Sequence, residues 1–260
     1  MTNERPADRP ATEKITFIGS GGNELTGVLH LPPQRAKASV LMAHCFTCSK
    51  DLHTMTRLAN ALSEAGFAAF RFDFTGLGES EGDFSKKTLS GNVTDIVRAA
   101  TTLIEMGFGP YGAIGHSLGG AAVLLAAEKL KTVRSFVTIA TPAEAAHVRH
   151  LLGDTEAELL AEGEADVTIG GRTFTLEDEF IHDILTHDVL QAVAKLDRPY
   201  MTVHAEDDTT VLMSDAERLH DAAPQLKKFV RLSAGGHLFG DRDAAEEMAK
   251  EITAWFSSTI

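Results

Sequence analysis

The chain has 260 residues, of which 43% are hydrophobic and 23% are charged, and its formal net charge is −13. This length and composition are typical of one sizeable globular domain that buries its own core. The acidic charge argues against a basic face for nucleic acid or anionic membranes, and no apolar run approaches the roughly 20 residues of a membrane-spanning helix.

The N-terminal segment, residues 1–13, is polar and rich in chain breakers. We therefore expect a disordered lead-in rather than a signal peptide, and a cytoplasmic location for the chain. Residues 14–260 are expected to form a single domain. Two apolar runs at 15–18 and 25–31 flank a Gly-Gly-Asn sequence, which predicts an antiparallel hairpin at the edge of a sheet.

Six further apolar runs alternate with helix-periodic segments. The runs lie at 40–43, 67–74, 111–115, 136–140, 200–204 and 229–232. Apolar spacings of three and four residues predict two helices that end near Gly66 and Gly107, one over 121–130, and one from Ala244 to about Phe256. The pattern predicts an α/β fold, a mainly parallel sheet with helices on both faces.

The segment at about 142–196 interrupts this alternation because it is too long for a simple crossover. Short apolar runs at 167–169 and 172–174 flank a Gly-Gly pair and predict a small hairpin. We interpret the segment as a lid insertion over the carboxyl ends of the strands, where ligands bind in open α/β sheets.

A helix is predicted directly after this hairpin. Thr175 and Asp178 are candidates for its N-terminal cap. Phe180 and Ile184 are expected to face inward, and Leu185 is a further candidate for the inner face.

The sequence Gly115-His116-Ser117-Leu118-Gly119 lies between a predicted strand and a predicted helix. A serine between two glycines at such a corner can adopt a strained backbone that exposes its hydroxyl beside the following N–H groups. We therefore expect Ser117 to act as a nucleophile.

A serine nucleophile needs a base and a group that orients the base. His237 follows a glycine pair after the strand at 229–232 and is the expected base. The acid should precede it in the order Ser, Asp, His, and Asp208 is preferred over its rival Asp207, since Asp208-x-x-Val211 resumes the apolar pattern. Backbone N–H groups of Phe46 and Leu118 are the expected oxyanion donors.

The two cysteines, Cys45 and Cys48, are spaced Cys-x-x-Cys but lack a partner pair at zinc-site spacing. They are expected to be reduced thiols near an active-site loop, with a redox pair as the alternative. No metal site and no cofactor are predicted, and the pair His147 and His150 is interpreted as a surface feature of the lid.

Together these motifs resemble the ordered signatures of the α/β-hydrolase superfamily from about Lys14 to the C-terminus. The residues that carry the resemblance are 44–46, 73–80, 115–119, 208–211 and 236–237. The run 44–51 is similar to a subgroup often fused to, or encoded beside, an OsmC-like peroxide-reducing domain. This implies an OsmC-like partner protein as one candidate, and no peroxidase activity is expected of this chain itself.

The leading functional hypothesis is a serine hydrolase that cleaves a small or medium acyl ester through an acyl-enzyme. A thioesterase or small peptidase with the same residues is the alternative within this chemistry. A thiol redox partner that uses Cys45 and Cys48 is the alternative from another class.

Overall fold

A twisted, mainly parallel sheet forms the centre of the computed structural model, which describes residues 11–224 and 226–260. The strands of the described residues are β1 (Ala11–Ile18), β2 (Glu24–Leu31), β3 (Ser39–Ala43), β4 (Ala68–Phe72), β5 (Pro110–His116), β6 (Ser135–Ile139), β7 (Glu164–Ile169), β8 (Arg172–Glu177), β9 (Tyr200–Ala205) and β10 (Lys227–Leu232). The sheet order is β1-β2-β4-β3-β5-β6-β9-β10, and β7 and β8 form a separate hairpin.

All but the last of the helices of the described residues lie between these strands along the chain, and the last one follows β10. The helices are α1 (His53–Glu64), α2 (Leu89–Glu105), α3 (Leu118–Ala126), α4 (Thr155–Glu162), α5 (Glu179–Ile184), α6 (Val189–Ala194), α7 (Met213–Ala222) and α8 (Arg242–Thr259). Short 3-10 segments occupy Ser20–Gly22, Phe84–Lys86 and Ala145–Leu151. None of the helices among the described residues is long and apolar enough to cross a bilayer.

The predicted fold class is confirmed. Strands β4, β3, β5, β6, β9 and β10 run parallel, while β1 and β2 pair antiparallel at one edge. Helices α1 and α8 pack together against one apolar face of the sheet, and α2 and α3 pack together against the other. Because both faces are covered, β3 and β4 are fully buried, which explains their near-continuous hydrophobicity.

The N-terminal boundary differs from the prediction. Strand β1 begins at Ala11, so three residues of the expected lead-in belong to the sheet, paired with the end of β2. The rest of the expected lead-in, residues 1–10, lies outside the described residues. Strand β4 ends at Phe72 because Asp73 turns into a loop, where it accepts hydrogen bonds from the backbone N–H groups of Lys50 (2.6 Å) and Glu79 (2.9 Å).

The expected lid hairpin is present, since β7 and β8 pair antiparallel around Gly170 and Gly171 at φ 59° and 77°. The predicted cap after it is wrong. Thr175 lies within β8 and donates to Asp166, because the alternation of buried Phe174 and Leu176 extends the strand to residue 177.

The helix that follows, α5, keeps only part of its predicted pattern. Asp178 stands at the position before the helix but makes no side-chain cap bond. Phe180 and Ile184 are fully buried as expected, whereas Leu185 is 56% exposed because α5 ends at Ile184 and the chain turns away.

Candidate active site

Ser117 occupies a sharp turn between β5 and α3. Its backbone has φ 55° and ψ −127°, a left-handed conformation that is strained for a residue with a side chain. Its N–H donates to the carbonyl of Ile139 in the neighbouring strand, which fixes the turn against the sheet. Helix α3 starts at the next residue, three positions earlier than predicted, so its N-terminal N–H groups open beside the serine.

The two glycines of the motif are required by close backbone contacts. A Cβ at Gly115 would overlap the backbone of Gly120, and one at Gly119 would overlap the carbonyl oxygen of His44. The residues that carry the turn therefore pack directly on the loop after β3, where Phe46 lies.

Gly119→Ala is expected to lower kcat by about 100-fold or more, because the new methyl group displaces the loop that carries a candidate oxyanion donor. Steady-state hydrolysis of a nitrophenyl ester measures this. Gly240→Ala is the matched control, since a Cβ at Gly240 meets nothing within 4 Å. Equal activity of both variants would contradict the role given to this contact.

The structure brings the three predicted side chains together. His237 Nε2 lies 3.0 Å from Ser117 Oγ, and His237 Nδ1 lies 2.9 Å from Asp208 Oδ2. They come from three loops at the carboxyl ends of β5, β9 and β10. An imidazole with Nδ1–H donated to the carboxylate keeps Nε2 free to accept the serine proton.

Asp208 is almost completely buried, and its Oδ1 accepts from the N–H groups of Thr210 (2.8 Å) and Val211 (3.0 Å). Burial alone would raise the pKa of this carboxyl. The hydrogen bond and charge of His237, with the two N–H groups, outweigh burial and hold the pKa of Asp208 below its usual value. Asp208 is therefore ionised at neutral pH.

The rival acid, Asp207, has a different place in the structure. Its carboxylate accepts from the backbone N–H groups of Gly236 (2.8 Å) and Gly235 (3.3 Å), next to His237. Asp208 thus contacts the imidazole, while Asp207 holds the backbone of the loop that carries it.

Two further histidines, His116 and His204, surround this group and were not identified from the sequence. His116 Nε2 lies 2.8 Å from the carbonyl oxygen of His237, and His204 Nε2 lies 2.9 Å from that of Val211. Burial, then the nearby His237, lowers the pKa of His116 to about 3. A neutral His116 that donates through Nε2 therefore anchors the His237 backbone. Only the position of His116 inside the serine motif hinted at this.

The two residues with the expected oxyanion donors, Phe46 and Leu118, line the same cleft as Ser117 and His237. Neither the N–H of Phe46 nor that of Leu118 has an acceptor in the described part of the chain, so both can donate to a ligand. His44 shapes the loop by donating from Nδ1 to the Cys45 carbonyl (2.7 Å) and accepting at Nε2 from the Phe74 N–H (3.3 Å). This pattern needs a neutral ring, and burial accordingly lowers the pKa of His44 to about 3.

Cys45 and Cys48 form a disulfide with a Cα–Cα distance of 5.3 Å. The expectation of two reduced thiols is therefore wrong for this structure, because the turn in which the Cys48 N–H donates to the Cys45 carbonyl brings the sulfurs together. The bridge spans Phe46 and Thr47, and both of its cysteines line the cleft above Ser117.

The ring of Phe46 packs against other aromatic rings, one of which belongs to the lid segment. Its ring stacks on Phe180 of α5 with a centroid distance of 4.9 Å. Lys87 lies behind it, 5% exposed, with Nζ lacking a hydrogen-bond partner among the described residues and facing the rings of Phe46, Phe74 and Phe84 at 5.9, 5.0 and 5.4 Å. Burial, offset in part by Asp95, lowers the pKa of Lys87 to about 7.

A cleft of about 510 Å³ opens over these groups. Ser117, Leu118, Phe46 and His237 form its floor, and lid residues between 147 and 172 form one wall. His147 is one of these lining residues, and its Nε2 lies 2.8 Å from the Thr210 carbonyl. Within the described residues, no group of three His, Cys, Asp or Glu side chains is arranged to hold a metal ion.

The family and the fold of the chain are shown by comparison with known proteins. The model of the alpha/beta hydrolase family matches residues 40–251. The esterase domain of a Rhodothermus marinus protein is 36% identical, with a TM-score of 0.78, over 94% of this chain and 97% of that chain. Est1E from Butyrivibrio proteoclasticus with bound ferulic acid is 23% identical, with a TM-score of 0.82, over 94% and 99%, and thus shares the fold.

An uncharacterized protein of Salmonella typhimurium, YfhR, is 26% identical over 233 residues, which cover 87% of this chain and 74% of that protein. The association with an OsmC-like protein stays a prediction. The match to the family model over most of the chain, together with the esterase domain at 36% identity, confirms the resemblance seen in the sequence: this chain belongs to the alpha/beta hydrolase family.

Proposed function

We propose that the chain is a serine hydrolase that cleaves small or medium acyl esters. The observation that carries the proposal is the continuous path of 3.0 Å and 2.9 Å from Ser117 Oγ through His237 to Asp208. Membership of the hydrolase family and the likeness to an esterase domain support an ester as substrate.

In this mechanism His237 accepts the serine proton as Ser117 Oγ attacks the carbonyl carbon, and Asp208 stabilises the imidazolium. The N–H groups of Phe46 and Leu118 bind the oxyanion. His237 then protonates the leaving alcohol, and water that is deprotonated by His237 releases the acid from the serine.

A substrate panel tests the reaction class. Nitrophenyl esters, acyl thioesters and aminoacyl amides are compared by kcat/KM in the wild-type protein and in Ser117→Ala. We expect esters to be hydrolysed best and all turnover to depend on Ser117. If thioesters or amides were the preferred substrates, the chain would instead be a thioesterase or a peptidase that uses the same catalytic residues.

A thiol redox function is the second candidate, because Cys45 and Cys48 are paired beside the cleft. It requires a dithiol reductant that delivers two electrons and opens the bridge to two thiols. It predicts that function depends on both sulfurs.

For a hydrolase, Cys48→Ser is expected to keep most of the esterase activity. The loop retains the His44 hydrogen bonds and the stacking of Phe46 on Phe180, which do not involve sulfur. Nitrophenyl ester kinetics of Cys48→Ser and of a Cys45→Ser/Cys48→Ser variant measure this. Loss of ester hydrolysis in both variants would contradict this expectation and show that the bridge itself supports the loop that carries Phe46.

A further inference from the structure

The hairpin of the lid segment places an arginine next to the loop after β3, which carries Phe46. Arg172 is the first residue of β8, after the Gly-Gly turn, and its Nη1 donates to the carbonyl of Thr47 at 3.3 Å. Thr47 directly follows Phe46, whose N–H is a proposed oxyanion donor. The guanidinium also lies 4.9 Å from the ring centroid of Phe174. This cation–π contact helps to hold the Arg172 side chain where it lines the cleft.

Arg172 has unused capacity to bind an anion. A guanidinium has five N–H donors, and only the bond to Thr47 is present within residues 11–224 and 226–260. No carboxylate of these residues pairs with it, although the chain has 37 acidic side chains against 24 lysines and arginines. The Arg172 guanidinium is therefore free to form an ion pair with an anionic ligand in the cleft.

The other described residues that line the cleft include no carboxylate that is free to pair with Arg172. Asp51 is the one carboxylate among the described lining residues, and its two oxygens are taken by Arg71 Nη1 (2.6 Å) and Lys50 Nζ (2.9 Å). These bonds keep the pKa of Asp51 below its usual value although burial opposes the shift. Apolar lining comes from Leu118, Val148, Leu151, Ile169, Val211 and Leu238.

We propose that the preferred esters carry a carboxylate that binds Arg172, while the carbon chain between this anion and the scissile bond lies on the apolar lining. This inference rests on the hydrolase function proposed above and names its substrate class. A carboxylate is the planar anion that a guanidinium binds through two parallel hydrogen bonds. The anion can belong to the acyl group or to the alcohol, and the substrates chosen below separate the two.

The test compares charged and neutral esters of matched size. For the acyl side these are 4-nitrophenyl hemiglutarate and 4-nitrophenyl valerate, and for the alcohol side 4-acetoxybenzoate and its methyl ester. In Arg172→Gln the ratio of kcat/KM for the charged over the neutral ester is expected to fall about tenfold in one pair. Arg172→Lys keeps part of the ratio, and Arg242→Gln, a charge removed from the exposed start of α8, leaves it unchanged.

Comparison of ratios between variants cancels the intrinsic reactivity of each ester. Added salt should raise KM for the charged ester alone, because it screens the exposed cation. An equal loss for charged and neutral esters would show that Arg172 only fastens the lid to Thr47, and an unchanged ratio in both pairs would also overturn the inference. Either result leaves the hydrolase function standing, whereas ester hydrolysis that persists in Ser117→Ala overturns that function instead.

Discussion

Ser117→Ala is expected to lower kcat for ester hydrolysis by about 10⁴-fold or more, because the attacking oxygen is lost and its partners cannot act without it. The variant retains the oxyanion donors and the cleft, so substrate binding is expected to persist. Initial rates with a nitrophenyl ester and a binding measurement with a non-hydrolysable ether analogue separate the two effects.

Ser49→Ala is the matched control for this prediction. Ser49 also lines the cleft, and within the described residues its hydroxyl accepts only from the Asp51 N–H at 3.3 Å. We expect near-normal turnover in this control. If Ser117→Ala retained most of the wild-type rate while still folded, Ser117 would not be the nucleophile.

Lys87→Met is expected to stabilise the folded chain at pH 7. The pKa of Lys87 falls from 10.5 to about 7 on folding because the amine is buried among phenylalanines. Between these values the unfolded chain binds a proton that the folded chain does not, so stability rises with pH by about 1.4 kcal/mol per unit. At pH 7 the depressed pKa thus costs roughly 4 kcal/mol, which methionine removes because it fills the same space without a charge.

Urea unfolding followed by circular dichroism at pH 7, 8 and 9 measures this effect. The difference in stability between Lys87→Met and the wild type should shrink as the pH rises. Lys86→Met is the control, because Lys86 is exposed and adjacent in sequence. If the free energy of unfolding changed with pH equally in the wild type and in Lys87→Met, Lys87 would be charged in the folded chain and would have a counterion.

The strands and the serine turn could be predicted from the sequence because each depends on local pattern. Buried parallel strands appear in the sequence as near-continuous apolar runs, and the Gly-x-Ser-x-Gly spacing specifies a turn that needs glycine on both sides. The cap at Thr175 failed for a local reason too. The polar pattern Thr-x-x-Asp imitated a helix start, while the buried positions Phe174 and Leu176 continue a strand.

Other features could not be predicted because they depend on convergence of distant loops. The choice of Asp208 over Asp207 rested on one apolar residue, whereas the structure separates them by what each carboxylate contacts. His116 anchors a carbonyl 121 positions away, and the packing of Phe180 on Phe46 joins the lid to the loop after β3. The disulfide was also unexpected, since Cys-x-x-Cys spacing does not say whether the sulfurs bond.

The central claim is that Ser117 Oγ, activated by His237, becomes covalently bonded to the acid half of the substrate. The most direct measurement is intact-mass and peptide mass spectrometry after treatment with a fluorophosphonate, which bonds to activated serines. We predict one adduct per chain, mapped to Ser117, and none in Ser117→Ala or His237→Gln. An adduct on another residue, or no adduct in a preparation that hydrolyses esters, would contradict the claim.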